Sequence, residues 1–276
     1  MTDLLESVAA VAVSDVGLRR NSNEDSVLAD PPVFIVADGM GGHEAGEVAS
    51  GIVVAELSAL AGRLDVQIDD VKERLHTARL RIEEIPTSIP GALAGTTVSG
   101  VILTTESGQP YWLGVNLGDS RTYRYWQGEL EQLSVDHSEV QELIDAGQLT
   151  VAEARLSPRR NIITRALGAG TAENPDYWMR PVTAGERLLI CSDGLSSDVA
   201  DEELAAILRD HPDRGEALAA LLAAAMGAGG HDNISIIVLD ALPFDGGAES
   251  ENSTDMEDTA ENFLPRRAIW PDEEEI

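Results

Sequence analysis

One segment near the N-terminus of the chain reads Val33-Phe34-Ile35-Val36-Ala37-Asp38-Gly39-Met40-Gly41-Gly42-His43. It follows Pro31-Pro32, and its first five residues are all apolar, which predicts a short strand buried on both faces. A carboxylate, Asp38, stands directly at the end of that strand, where surface charge is unexpected. From Glu44 onward the apolar residues recur at helical spacing, so the pattern predicts a helix immediately after the glycines.

Strand-like runs alternate with helical patterns along the rest of the chain. The runs lie at 8–16, 96–103, 111–117, 121–126, 130–133, 162–165, 177–182, 187–191 and 234–239. The dipeptides Gly118-Asp119 and Gln127-Gly128 separate neighbouring runs, and we interpret them as tight hairpin turns between antiparallel strands. Predicted helices come in pairs, at 44–60 and 68–84 and again at 201–209 and 214–226. The sequence therefore predicts an α+β fold with helices packed outside a β-sandwich.

Four carboxylates occupy predicted strand ends beside glycine or another small turn-forming residue. They are Asp38, Asp119, Asp193 and Asp232. Converging carboxylates repel one another unless cations neutralise them, and oxygen ligands without His or Cys suit Mg²⁺ or Mn²⁺. An Asp-Gly pair is also an ordinary turn, so the pattern alone leaves a metal cluster and a set of turns both open.

The charge of the chain excludes several classes of function. It contains 49 Asp and Glu against 19 Lys and Arg, a formal net charge of −30. Such acidity opposes binding to nucleic-acid phosphates and to anionic lipid. The single lysine, Lys72, is followed by Glu73, so the chain has neither a Walker A loop nor the lysine motif of protein kinases.

The cysteine content and the apolar runs indicate a compartment. Cys191 is the single cysteine, which excludes an internal disulfide and a cysteine-based zinc site. Cysteine-dependent phosphatases place Arg six residues after the cysteine, where this chain has Ser197. The sequence has no basic leader and no apolar run long enough to span a bilayer. We therefore expect a cytoplasmic protein that binds neither membranes nor nucleic acid.

The composition changes near residue 245. Residues 245–276 hold 11 acidic and 2 basic residues and show little apolar periodicity, which predicts a disordered acidic tail. We expect residues 1–244 to form one catalytic domain and the tail to take no part in catalysis.

Eight short motifs, in chain order, carry a resemblance to a known family. They are Arg20-Asn21-Ser22-Asn23-Glu24-Asp25, Val36-Ala37-Asp38-Gly39-Met40-Gly41-Gly42-His43, Gly95-Thr96-Thr97, Leu117-Gly118-Asp119-Ser120-Arg121, Asp136-His137-Ser138, Arg165-Ala166-Leu167-Gly168, Cys191-Ser192-Asp193-Gly194-Leu195 and His231-Asp232-Asn233-Ile234. Over about residues 7–240 the chain resembles the metal-dependent protein phosphatases, the type 2C serine/threonine phosphatases, in their bacterial form. The resemblance implies a four-layer α-β-β-α sandwich of two antiparallel sheets flanked by helix pairs.

The same resemblance implies two Mg²⁺ or Mn²⁺ ions at one end of the sandwich and a weaker third site. By position, Asp38 bridges both ions and the Gly39 carbonyl binds one of them. Asp193 and Asp232 complete the coordination of the other ion. Asp119, together with Asp193, matches the third site.

Further roles follow from the resemblance at the edge of this site. Glu24 and Asp25 hold metal-bound waters, and Arg20 clamps the substrate phosphate with its planar guanidinium. A water activated by the two ions attacks phosphorus. Eukaryotic members have a His in the position of Met40, and it is proposed as their general acid. His43 stands three residues later, near the start of the predicted helix, where a single His is weak evidence for acid catalysis. We therefore expect a structural or capping role for His43.

The segment from about 138 to 165 corresponds to the flap of the family, which lies beside the active site. We expect His137 to order the start of this flap. Arg155, Arg159 and Arg160 form a basic cluster within it. They either steer phosphorylated substrate to the site or belong to an exposed loop.

The leading hypothesis is a phosphatase that hydrolyses phosphoserine and phosphothreonine on proteins, acts as a monomer and opposes a cytoplasmic Ser/Thr kinase. A second hypothesis is a phosphatase of an anti-sigma-factor antagonist. A third is a catalytically weak pseudophosphatase that binds phosphoproteins. The third requires lost metal ligands, and Asp38, Asp193 and Asp232 are all present.

Overall fold

Two antiparallel β-sheets lie face to face at the centre of the computed structural model. The structure describes residues 2–41, 44–85, 93–170 and 174–243. His43 and the predicted tail, 245–276, lie outside the described residues, so the expectations for them remain predictions.

In chain order, the strands of the described residues are β1 (Val8–Asp15), β2 (Asp25–Asp30), β3 (Val33–Met40), β4 (Gly95–Thr96), β5 (Val98–Glu106), β6 (Gln109–Leu117), β7 (Arg121–Trp126), β8 (Glu129–Gln132), β9 (Asp176–Pro181), β10 (Arg187–Cys191) and β11 (Ile234–Ala241). The helices are α1 (Thr2–Leu5), α2 (Glu44–Ser58), α3 (Ile68–Glu83), α4 (Glu139–Asp145), α5 (Val151–Arg155), α6 (Asp193–Ser196), α7 (Asp201–Asp210) and α8 (Arg214–Ala228).

The strands divide between two sheets in an order that differs from their order in the chain. Sheet I has the order β1-β11-β10-β7-β8, and sheet II has the order β2-β3-β5-β6-β9 with β4 paired to β3. The pairings are antiparallel in both sheets. The N-terminal strand therefore pairs with the last strand of the domain, which closes sheet I at one edge.

The hydrophobic core has three parts, one between each pair of adjacent layers. Between the sheets, Phe34 and Val36 of β3 pack with Trp112, Ile190 and Leu239. The outer face of sheet II packs against α2 and α3, and the outer face of sheet I packs against α7 and α8. The layers follow the order helix, sheet, sheet, helix, which confirms the predicted α-β-β-α fold.

A completely buried acid connects the two sheets. Oε1 of Glu186 accepts hydrogen bonds from Trp112 Nε1 of sheet II at 2.7 Å and from the Thr183 amide at 2.9 Å. Oε2 accepts a short hydrogen bond from Nε of Arg124, on β7 in sheet I. A buried charge in such a network is strongly destabilising once its partner is removed.

The connection through Gly118-Asp119 differs from the predicted hairpin. Strand β6 belongs to sheet II and β7 belongs to sheet I, so this dipeptide carries the chain from one sheet to the other. The other dipeptide is a hairpin turn between β7 and β8, as predicted. Gln127 and Gly128 have φ values of 52° and 88°, the left-handed values that a two-residue type I′ turn requires.

Two further differences concern short elements. The predicted strand at 162–165 is wrong, because Ile163 makes only an isolated bridge to Ser138. The flap contains the short helices α4 and α5, and α1, β2 and α6 have no clear sequence pattern. In the described ranges, no helix is both long and apolar enough to cross a bilayer.

Candidate metal centre

The backbone of Asp38 is fixed by the strand and turn beside it. Asp38 and Asp25 are register partners on β3 and β2, so both carboxylates lie at the same end of sheet II. The Asp38 amide donates to Thr97 Oγ1 at 3.0 Å, and its carbonyl accepts from the Thr97 amide at 2.9 Å and from Thr96 Oγ1 at 3.0 Å. The Gly-Thr-Thr motif therefore orients Asp38.

The glycine after Asp38 permits a close approach of three chain segments. The Gly39 amide donates to the Glu24 carbonyl at 3.1 Å. A Cβ on Gly39 would lie 2.2 Å from the Gly46 carbonyl oxygen, and a Cβ on Gly46 would lie 2.6 Å from Glu24 Oε2. Side chains at these positions would separate helix α2 from the strand ends, so glycine is required at both.

Asp119 and Asp193 reach the end of sheet II from two other segments. Asp119 lies in the crossover between β6 and β7, and Asp193 lies at the start of α6. Gly118 has φ +107°, and a Cβ there would lie 2.5 Å from Thr97 Cγ2, so the crossover is pressed against the threonine that orients Asp38. The hydroxyls of Thr97 and Ser120 are 2.8 Å apart and hydrogen-bonded. Asp193 is the first residue of α6, whereas the sequence placed it at a strand end.

Asp232 lies at the edge of the cluster and pairs with the arginine of the first motif. Arg20 Nη2 donates to Asp232 Oδ2 at 2.6 Å, and the Asn233 amide donates to Asp232 Oδ1 at 2.8 Å. Asn233 Oδ1 accepts from the Glu24 amide at 2.9 Å, and its Nδ2 donates to the Val16 and Ser22 carbonyls. The Asn233 side chain thus joins the loop that carries Arg20 and Glu24 to the start of β11.

Burial and mutual repulsion perturb the carboxylates strongly. Burial, followed by the charges of the other aspartates, raises the pKa of Asp38 well above its ordinary value. Burial raises the pKa of Asp193 to about 7, with Asp232 and Asp25 adding to the effect. The pKa of Asp25 is raised to about 6, and that of Asp119 is raised well above its usual range, again mainly by burial. The five aspartates are therefore close enough to act on one another.

Several oxygens in this cluster meet no hydrogen-bond donor. In the described part of the chain they are both carboxylate oxygens of Asp25 and one oxygen each of Asp119 and Asp193. Buried charged oxygens without donors are costly, and a hard divalent cation would satisfy them. As the side chains stand, no three acidic, His or Cys groups among the described residues enclose one ion. That fits a hydrated ion, because Mg²⁺ keeps several waters and takes only one or two protein carboxylates.

The sequence-predicted residues are thus brought to one end of the sandwich. Arg20 lies at the edge of the cluster, where the negative charges of Asp232, Asp38 and Glu24 raise the pKa of its guanidinium. The sequence argument assigned no role to Thr97 or Asn233, although both stand inside the quoted motifs. The signal for Asn233 was its place beside Asp232, and the signal for Thr97 was the Gly-Thr-Thr motif. Their roles depend on hydrogen bonds that sequence does not show.

A cavity of about 430 Å³ lies between the flap and the start of α7, beside the cluster. Asp119 and Asp193 line one part of it, and Arg155 and Arg160 line another. Arg155 pairs with Asp201 at 3.4 Å.

Two flap arginines differ in their partners. Arg159 pairs with Glu139, whereas Arg160 makes no ion pair within the residues that the structure describes. Of the two, Arg160 is therefore the charge available at the cavity.

The single cysteine takes no part in the site. Cys191 is completely buried on β10. Burial raises the pKa of its thiol to about 12, so the reactive thiolate is strongly disfavoured.

The geometry describes a two-sheet sandwich with a cluster of buried, mutually repelling carboxylates at one end. The family model for Protein phosphatase 2C matches residues 20–228 of the chain. The chain belongs to the protein phosphatase 2C family.

Relatives of similar sequence are also named as protein phosphatases. Serine/threonine protein phosphatase PstP of Mycobacterium tuberculosis is 39% identical over 242 residues, which cover 86% of this chain and 45% of PstP. The chain thus spans less than half the length of that relative. Protein phosphatase PhpP of Streptococcus pneumoniae is 34% identical over 239 residues, which cover 82% of this chain and 95% of PhpP.

Solved structures of related phosphatases share the fold. The crystal structure of the M. tuberculosis phosphatase PstP/Ppp has a TM-score of 0.79 and 36% identity, and the match covers 86% of this chain and 99% of that one. The catalytic domain of PstP in complex with two manganese ions has a TM-score of 0.73 and 38% identity, with the same coverage.

Proposed function

We propose that the chain is a Mn²⁺- or Mg²⁺-dependent protein phosphatase that hydrolyses phosphoserine and phosphothreonine on proteins. The observation that carries the proposal is the cluster of five mutually repelling aspartates, three of which have unpaired buried oxygens. Such a cluster is stable when divalent cations neutralise it. The manganese complex of the PstP catalytic domain supports the same ion for this chain.

We assign the ions to the residues that the sequence singled out. Asp38, the Gly39 carbonyl, Asp193 and Asp232 would hold the two ions together with ordered water molecules, so that each ion takes only one or two protein carboxylates directly. When bound, the ions would supply a water molecule of lowered pKa and would neutralise charge on the phosphoryl group. The third, weaker site uses Asp119 with Asp193.

The remaining polar residues orient water molecules of the ions or bind the substrate phosphate. Asp25 and Glu24 would hold water molecules of the ions by hydrogen bonds. Asp25 is the register partner of Asp38. The backbone of Glu24 is hydrogen-bonded to Asn233 and Gly39. Arg20 remains charged and binds two phosphate oxygens through its fork of donors. Its present partner, Asp232, keeps the guanidinium at the edge of the cluster.

The substrate is a protein rather than a small metabolite in this proposal. The cavity beside the cluster continues the site along the flap and has room for residues that flank a phosphorylated side chain. Arg160 provides a positive charge there in a chain of net charge −30. We further propose a monomeric cytoplasmic enzyme that opposes a Ser/Thr kinase.

A metal-depletion assay tests the proposal. The full chain, stripped with EDTA, should release no phosphate from a phosphothreonine peptide, and Mn²⁺ should restore turnover. A phosphotyrosine peptide of the same sequence serves as the matched substrate. Turnover that survives EDTA, or a preference for phosphotyrosine, would contradict the proposed function.

A further inference from the structure

His137 lies where the flap joins the body of the protein and is only 4% exposed. Its amide donates to the Gly118 carbonyl at 2.8 Å, and its own carbonyl accepts from the Thr164 amide at 2.8 Å. Ser138 bridges to Ile163 immediately beyond. The backbone of His137 therefore holds both ends of the flap and the crossover before Asp119.

The imidazole ring makes a second connection to the same crossover. The Gly118 amide donates to His137 Nδ1 at 3.2 Å, so Nδ1 has no proton and accepts. Nε2 must then carry the proton of the neutral ring, and it donates to Asp176 Oδ2 at 3.1 Å. Both ring nitrogens are engaged in these bonds, which fixes the orientation of the ring.

Asp176 in turn contacts the far end of the flap. Arg165 Nη1 lies 3.4 Å from Asp176 Oδ1 and 3.3 Å from His137 Nε2. Because Nε2 carries the ring proton, the guanidinium donates to Asp176 and only contacts the ring. The connection thus runs from Arg165 through Asp176 and the His137 ring to Gly118. Gly118 is pressed against Thr97, which orients Asp38, and is followed directly by Asp119.

We propose that His137 is a positioning residue that couples the flap to Asp119 and thereby sets the affinity of the weak third cation site. The proposal rests on the proposed function only for the identity of the ion. A change in flap position would move the His137 ring, and the bond from the Gly118 amide would transmit the change to the Asp119 carboxylate.

Two substitutions separate the two ring bonds. In His137→Asn the side-chain oxygen takes the place of Nδ1 and still accepts from the Gly118 amide, but the side chain no longer reaches Asp176. In His137→Gln the terminal amide takes the place of Nε2 and still donates to Asp176, but no acceptor faces Gly118. The pair is nearly matched in size and polarity, so a general effect of losing the ring is common to both.

Calorimetric titration of the metal-free full chain with Mn²⁺ gives a readout independent of turnover. Asp119→Asn should abolish the weakest binding event and so identify the third site. His137→Gln should weaken that event by about tenfold, the usual effect of losing a group that orients a metal ligand. His137→Asn should retain it, and neither substitution should change the tighter events.

Equal effects of the two substitutions, or effects on every binding event, would overturn the proposal. A wild-type titration without a third event would overturn it too, while the tighter events and phosphopeptide hydrolysis would still support the proposed function. If His137→Gln does not fold, His137→Leu takes its place. It also removes the acceptor that faces the Gly118 amide and should weaken the same event, and an unchanged event would contradict the coupling.

Discussion

The Arg20 guanidinium and the Asp232 carboxylate form an ion pair with 2.6 Å between Nη2 and Oδ2. The pair joins a loop near the N-terminus to the start of the last strand. Partial burial opposes the charge of Arg20, but Asp232 and the neighbouring acids outweigh it and raise the pKa of Arg20. One positive charge is thus built into the edge of the acidic cluster.

Replacing Arg20 tests its proposed role in phosphate binding. Arg20→Ala should lower kcat/KM for a phosphothreonine peptide by about 10- to 100-fold, the value of one or two charge-assisted hydrogen bonds. The matched control is Arg19→Ala, because Arg19 is the exposed neighbour and should leave turnover unchanged. Steady-state kinetics at saturating Mn²⁺ measure the difference, and equal effects of the two substitutions would refute the assignment.

The raised pKa values predict how stability varies with pH in the absence of metal. Asp193 has a pKa of about 7 in the folded protein, whereas an unfolded Asp titrates at about 3.9. Between these values the folded state binds more protons than the unfolded state, so this group lowers the free energy of unfolding as pH rises. Its contribution is least unfavourable below about pH 4 and most unfavourable above about pH 7.

Comparison of Asp193→Asn with the wild type isolates this contribution. In EDTA, the variant should gain thermal stability relative to the wild type as the pH rises from about 5 to about 7.5, because Asn carries no charge. Exposed Asp30→Asn is the control and should show no such trend. Mn²⁺ should reverse the order at the higher pH. A stability difference independent of pH would contradict the raised pKa of Asp193.

The flap arginines should differ in their effect on substrate. Arg160→Ala should raise KM for a phosphopeptide about three- to fivefold, the range of an exposed ionic contact, and the effect should shrink with added salt. Arg159→Ala is the matched control, because Arg159 is paired with Glu139. The same KM change for p-nitrophenyl phosphate, which has no flanking residues, would argue against peptide recognition.

The buried acid between the sheets should be essential for stability. Glu186→Ala leaves Arg124 and Trp112 without their partner and should lower the free energy of unfolding by about 3–5 kcal/mol. Exposed Glu129→Ala, on β8, should change it by less than about 0.5 kcal/mol. Urea denaturation measures both, and similar values would mean that the network contributes little.

The strands of the core could be predicted from the sequence because their apolar runs are short, uninterrupted and bounded by turns. Val33–Ala37 and the 187–191 run are such cases, and both strands occur where expected. The layer order also followed from helix pairs between groups of strands. The aspartates were recognised because charge is unexpected at the end of a buried strand.

Other features could not be predicted because they depend on contacts between distant parts of the chain. Gly118-Asp119 has the composition of a hairpin turn, yet the two strands it joins pair in different sheets. The 162–165 segment has strand-like residues, but only isolated bridges form there. The hydrogen bonds of Asn233 span more than 200 residues of sequence, which no local pattern reveals.

If Asp38 holds the catalytic ions, removing its charge should nearly stop turnover, whereas removing an exposed aspartate should not. Phosphate release from a phosphothreonine peptide in Mn²⁺ is measured for Asp38→Asn and for the exposed control Asp30→Asn. Metal ions contribute several kcal/mol of transition-state stabilisation, so Asp38→Asn should lower kcat by about 10³-fold, while Asp30→Asn stays at the wild-type rate. A folded Asp38→Asn protein that turns over as fast as the control would contradict the account.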